Sequence, residues 1–154
     1  MALKRKRKPA TKHGPYLTAA LICEKTLQES DGVLSAIRMI DHIALPPQPN
    51  NQLPEGVQVP IPITILVAFK AGSVKGEHVL KLVLTKTDGT RITMSESLVY
   101  FAGPEEGGVN FRANVNLWIE KEGLCWFDVI LDGKRFTRIP LRVFFQRENA
   151  AEEV

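Results

Sequence analysis

The chain has 154 residues, with 20 Lys and Arg against 17 Asp and Glu, for a formal net charge of +3. That length suits one domain burying about 70% of the surface its unfolded chain would expose, and no apolar run approaches the roughly 20 residues of a membrane-spanning helix. Lys4, Arg5, Lys6, Arg7, Lys8 and Lys12 supply +6, which leaves −3 on the rest of the chain and argues against a basic-faced nucleic-acid domain.

Residues 1–15, MALKRKRKPATKHGP, show no apolar periodicity and end in Gly14-Pro15, the pattern of a flexible basic arm. Such an arm can hold nucleic acid or an acidic partner through Lys4, Arg5, Lys6, Arg7 and Lys8, with strong salt dependence. The reading favoured is a solubilising terminus, given the lack of aromatics that would stack on bases. It has no apolar core or cleavage site of a secretory signal, so cytoplasmic residence is expected.

A β domain is expected over residues 16–146. Tyr16 to Gln28 places Leu17, Ala19, Leu21, Cys23 and Leu27 on one phase, Asp31-Gly32 turns the chain, and Val33 to Ile43 returns as one strand. Leu45 to Pro60 is a proline-rich loop crossing between layers, and a small-ligand pocket would sit beneath it. Ile61 to Phe69 follows, with Ile61, Ile63, Ile65, Val67 and Phe69 inward and Pro60 and Pro62 marking an edge. His78 to Thr85 points Leu80, Leu82 and Leu84 inward, Asp88-Gly89 turns, and Arg91 to Phe101 alternates more weakly.

The clearest pattern runs from Gly108 to Phe145. Val109, Phe111, Ala113, Val115, Leu117 and Ile119 alternate with polar residues, and Cys125, Phe127, Val129 and Leu131 continue in phase after Lys121-Glu122-Gly123. A hairpin with Gly123 in the left-handed position preserves that parity. It sets Trp118 opposite Trp126, Asn116 opposite Asp128, Asn114 opposite Ile130 and Arg112 opposite Asp132, the last as an ion pair. Asp132-Gly133 is a second hairpin signal. Its register conflicts with the inward set Ile139, Leu141, Val143 and Phe145 unless one residue is bulged near Arg138, where Pro140 is also at home. Residues 147–154 form an acidic tail.

Eight strands joined mostly by glycine turns make an all-β, antiparallel β-sandwich of immunoglobulin-like or C2-like type. Neither the Cys–Trp–Cys arrangement of antibody domains nor clustered calcium-binding aspartates is present.

Candidate chemistry is sparse. His13, His42 and His78 are scattered, and Asp41 and His42 point to opposite faces of a strand. No GxSxG elbow, HExxH helix or phosphate-cradling glycine loop occurs, so no catalytic residue, metal or cofactor is assigned. Cys23 and Cys125 fall on inward positions and read as buried free thiols. Arg138 at a bulge could clamp a ligand carboxylate, or satisfy local carbonyls and fix the corner. The informative surface is the outer face of the 109–132 hairpin. There Arg112, Asn114, Asn116, Trp118, Trp126 and Asp128 combine residue types enriched in binding hot spots. The expected function is a non-enzymatic interaction or assembly module for an unknown protein partner or a second copy.

The segments LxCE…DGVLSAIR and GLxWFDVxLDG…RIPLxV resemble a bacterial family of small proteins catalogued as a domain of unknown function. The resemblance covers roughly residues 16–146 and rests on Leu21, Cys23, Glu24, Asp31, Gly32, Gly123, Phe127, Asp132, Gly133, Arg138, Pro140 and Leu141. It implies an all-β sandwich with no established activity or cofactor.

Overall fold

The computed structural model describes residues 13–148 and is all-β, with one 3₁₀ turn at Pro49–Asn51. The nine strands are β1 (Tyr16–Gln28), β2 (Leu34–Met39), β3 (His42–Leu45), β4 (Val59–Lys70), β5 (Gly76–Thr85), β6 (Arg91–Phe101), β7 (Gly108–Ile119), β8 (Gly123–Leu131) and β9 (Lys134–Phe145). They form a four-stranded sheet ordered β2-β1-β4-β7 and a five-stranded sheet ordered β3-β9-β8-β5-β6. The ninth strand arises because the expected Val33–Ile43 strand breaks at Ile40-Asp41. Its first half joins the first sheet, and its second half crosses to the other, where β3 runs parallel to β9. The sheets are therefore not wholly antiparallel.

Alternation explains which side chains are buried. Ile63, Ile65, Val67 and Phe69 of β4 face Leu80, Leu82, Leu84, Phe127, Val129 and Leu141 of the other sheet in one core. Phe69 stands edge-on to Phe101 at 6.4 Å and to Phe136 at 5.2 Å, joining both sheets.

The main correction concerns β7 and β8, which do not form a hairpin. β7 pairs along its whole length with β4 in one sheet, whereas β8 lies between β5 and β9 in the other. The short link between them carries the chain across the core. The inward residues were nevertheless read correctly, because Ala113, Leu117 and Ile119 and Cys125, Phe127 and Val129 reach the same core from opposite sides. Parity across a short link is the same for a hairpin and for a crossing between facing sheets, so alternation cannot tell them apart. Gly123 is not the left-handed residue of a tight turn. It opens β8 beneath Thr87, whose Cγ2 would lie 2.5 Å from any Cβ added there. Glu122 secures the crossing by accepting the Phe145 N–H at 2.7 Å and pairing with Arg147.

The Asp132-Gly133 hairpin does form, with both residues at positive φ and Leu131 opposite Lys134. The extra residue is Phe136 rather than one beside Arg138, since Ile130 pairs with Arg135 and Val129 with Thr137. Arg138 then lies in a regular ladder opposite Asp128. Pro140 sits where β9 has a partner on one side only, because β3 begins opposite Arg142. Pro60 and Pro62 follow the same rule: β1 pairs with β4 only from Thr64 onward, so two residues lacking an N–H leave no ladder bond unmade. Another bulge lies at Thr18, between the pairs Leu17–Phe69 and Ala19–Ala68. It determines what the first sheet shows to solvent.

Candidate functional site

The residues expected to form one docking face are divided between two. Arg112, Asn114, Asn116 and Trp118 lie on the outer face of the four-stranded sheet, while Trp126 and Asp128 lie on the outer face of the five-stranded sheet. Trp118 neighbours Pro60 instead of Trp126 and is 52% exposed. Asp132 pairs with His78, not with Arg112. Lys4, Arg5, Lys6, Arg7 and Lys8 lie outside the described residues. His13, at the end of the expected arm, is tied to the domain: it exchanges backbone and side-chain hydrogen bonds with Ser73 at 2.7–2.9 Å.

On the four-stranded sheet, the Thr18 bulge reverses the phase of β1. Leu17 points inward with Phe69. Beyond the bulge Ala20 and Ile22 point inward, opposite Val67 and Ile65, so Ala19, Leu21 and Cys23 turn outward. The sequence reading had all three facing the core. The outer face therefore sets Ala19 beside Ala68, Leu21 beside Leu66, and Cys23 beside Thr64, with Asn110, Arg112 and Asn114 of β7 in the next positions. Cys23 is nonetheless fully buried, and burial raises its thiol pKa above the ordinary value. Thr64 donates its hydroxyl to Asn114 Oδ1 at 2.8 Å, fixing that amide. Met39 continues the surface from β2 and is largely exposed.

The five-stranded sheet presents the opposite chemistry. Asp128 points away from the core residues Phe127 and Val129, yet only 1% of it is exposed. Guanidinium groups cover it. Arg138 Nε donates to Oδ1 at 2.7 Å, Arg91 Nη2 to Oδ2 at 3.4 Å, and Arg135 Nη1 lies 3.9 Å from Oδ2. Arg138 also lies over the Trp126 ring, with Cζ 5.1 Å from the centroid. The residue expected at a bulge thus clamps a carboxylate of its own chain. Arg91 and Arg135 were missed, and no sequence signal marks them, because they come from β6 and β9 and meet Asp128 only through the ladder.

A second pair was also hidden by sequence distance. His78 Nδ1 contacts Asp132 Oδ2 and Nε2 faces the Lys75 carbonyl at 3.1 Å. A carbonyl and a carboxylate oxygen only accept, so both ring nitrogens face acceptors, an arrangement that favours the protonated ring. The Asp132 hydrogen bond, against a smaller opposing effect of burial, raises the histidine pKa. Asp132 is held below the usual carboxylate range by His78 and then by the Val79 N–H, which it accepts at 2.9 Å. With both nitrogens facing acceptors of its own chain, this pair latches the β8–β9 turn to β5.

Little else has the form of a reaction centre. Among the described residues, no cluster of three or more His, Cys, Asp and Glu could hold a metal ion. No helix among them is long and apolar enough to cross a membrane. Cys125 donates its thiol to the Leu141 carbonyl at 3.3 Å, and burial pushes its pKa up to about 11, so it is a neutral thiol. It helps line a hollow of about 110 Å³ between the sheets, with Leu84, Leu117 and Val143 and the rim residues Lys86 and Glu120. A shallower hollow of about 400 Å³ beneath the 45–60 loop is lined by Gln52 to Gln58 with Glu120 and Lys121. Of its two carboxylates, Glu55 and Glu120, the second is already engaged by Gln58 and Lys86.

No family model matches the chain, and no curated protein matches it. Among solved structures, one similar chain is the Pseudomonas fluorescens alkylpurine DNA glycosylase AlkC, bound to DNA containing an abasic site analog. It has 10% identity and a TM-score of 0.40, over 80% of this chain and 30% of the glycosylase. A likeness that distant carries no inference about fold or function.

Proposed function

We propose that the chain is a non-enzymatic, immunoglobulin-like β-sandwich that works as a protein-interaction module, docking a protein surface on the outer face of its four-stranded sheet. The observation that supports this is the side-chain make-up of that face. Ala19, Leu21, Leu66 and Ala68 form an apolar centre, and Arg112, Asn114 and Trp118 stand along one side. Interface cores are apolar and poor in charge, and Trp and Arg are enriched among residues that dominate binding energy. Among the described residues β7, which carries the polar side, has β4 as its one strand neighbour, so its other edge can accept an added strand.

Leu66→Glu, Arg112→Ala and Trp118→Ala test this reading. None touches the shared core, so each variant melts close to the parent. An anchor residue contributes about 2 kcal/mol or more, so complex formation falls by roughly 30-fold for Leu66→Glu and Trp118→Ala. Light-scattering mass and capture by tagged protein provide the readout. Parental mass and capture in all three folded variants would remove this face from consideration.

A further inference from the structure

We infer that the arginine cluster around Asp128 is a binding site for a phosphomonoester dianion. Three observations carry the inference.

The first is charge. Arg91, Arg135 and Arg138 surround one carboxylate, so the cluster carries a surplus of two positive charges, the complement of a dianion.

The second is preorganisation. Arg138 uses Nε on Asp128 and Arg91 uses one Nη, so among the described residues most of their N–H donors have no other partner. Asp128 is itself 99% covered, which places it beneath the guanidiniums as an anchor, while Arg91 and Arg135 are each more than half exposed. Holding the arginine heads to a buried anchor lowers the ordering cost that normally weakens a surface arginine. The fork geometry of a guanidinium matches phosphoryl oxygens bidentately.

The third is Trp126. It lies in the same face beneath Arg138, so a flat group attached to the phosphoryl has an aromatic and guanidinium surface beside it. This face is on the sheet opposite the proposed protein-docking face, so a variant that weakens one site need not touch the other.

The test is calorimetric titration of the full chain with phenyl phosphate, inorganic phosphate and benzoate at matched ionic strength. Phenyl phosphate is expected to bind most tightly, inorganic phosphate next and benzoate, a monoanion, at least tenfold more weakly than phenyl phosphate. Arg135→Gln and Arg91→Gln should each weaken phenyl phosphate by about tenfold. Lys70→Gln, which removes the same charge from the other sheet, should leave it unchanged. Arg135 makes only a long contact with Asp128, so its variant stays folded and keeps the test decisive. Equal binding of benzoate and phenyl phosphate would overturn the dianion assignment. Parental affinity in both arginine variants, an equal loss in Lys70→Gln, or no binding by the parent would overturn the site.

Discussion

Replacing Asp128 with Asn removes one negative charge and little volume, so it isolates the electrostatic role of a carboxylate that is 1% exposed beneath three guanidiniums. The largest loss is the charge-assisted bond from Arg138 at 2.7 Å, a type that contributes about 1.5–3 kcal/mol. Arg91 at 3.4 Å and Arg135 at 3.9 Å add less, because both are more than half exposed and solvent screens them. Truncating one partner of a fully buried pair costs about 3–5 kcal/mol, much of it from the charge left behind in the interior. Here the arginines left behind can turn to water, which places the expected loss at about 2–3 kcal/mol. For a domain of this size that lowers the melting temperature by roughly 4–12 °C. Raising the salt concentration should recover part of the deficit, since the remaining guanidiniums repel one another at the surface. Calorimetric melting at low and high sodium chloride measures both effects. A melt within about 2 °C of the parent, or one whose deficit grows with salt, would refute the assignment of Asp128 as the counter-charge that orders this face.

Removing the His78 imidazole, as in His78→Asn, should destabilise the chain in acid and not in alkali. The folded pKa is raised, so the contribution is complete below the unfolded value near 6.5 and disappears as pH rises through the folded value. Asp132 bounds the window from below: its folded pKa is lowered, so its contribution is present above the unfolded value and is lost as pH falls through the folded one. Denaturant midpoints of parent and variant from pH 5 to pH 9 should converge at the alkaline end; a constant gap contradicts the raised histidine pKa. Deleting Thr18 should be tolerated, because Leu17 already pairs with Phe69 and Ala19 with Ala68, so the deletion leaves a regular ladder and loses only the hydroxyl bond to the Ala68 carbonyl. Deleting Val67 should unfold the domain by flipping one end of β4, and equal melting losses would contradict the bulge. Cys23 and Cys125 should resist a thiol reagent at neutral pH until denaturant is added, since both are buried and their pKa values are raised. Rapid native labelling of either contradicts that burial.

Much of the fold is legible in the chain because burial alone writes a period of two. The alternation in β4, β5, β7 and β8 identifies the core residues, and Asp31-Gly32, Asp88-Gly89 and Asp132-Gly133 all turn the chain, each glycine at positive φ. Partnership is not legible, because Ile119 and Cys125 show the same inward phase whether their strands pair or face each other. Bulges are not legible either, since each inserts one residue without a compositional mark: Thr18 turned Ala19, Leu21 and Cys23 outward, and Phe136 took the place expected near Arg138. The candidate sites suffered most. Trp118 and Asp128 were correctly read as facing away from the core, but the arginines around Asp128 and the partner of His78 depend on long-range pairing. Conversely, Leu21 and Leu66 are ordinary core residues by composition, and only the ladder register places them on an outer face.

The separation of the two faces is the claim on which both proposals depend, and a distance between nitroxide labels at positions 114 and 130 tests it most directly. Those positions lie on outer faces of different sheets; for sheets packed face to face at about 10 Å, with labels directed away from the core, the distance should exceed roughly 20 Å. A distance under about 10 Å, as cross-strand neighbours in a hairpin would show, contradicts the account.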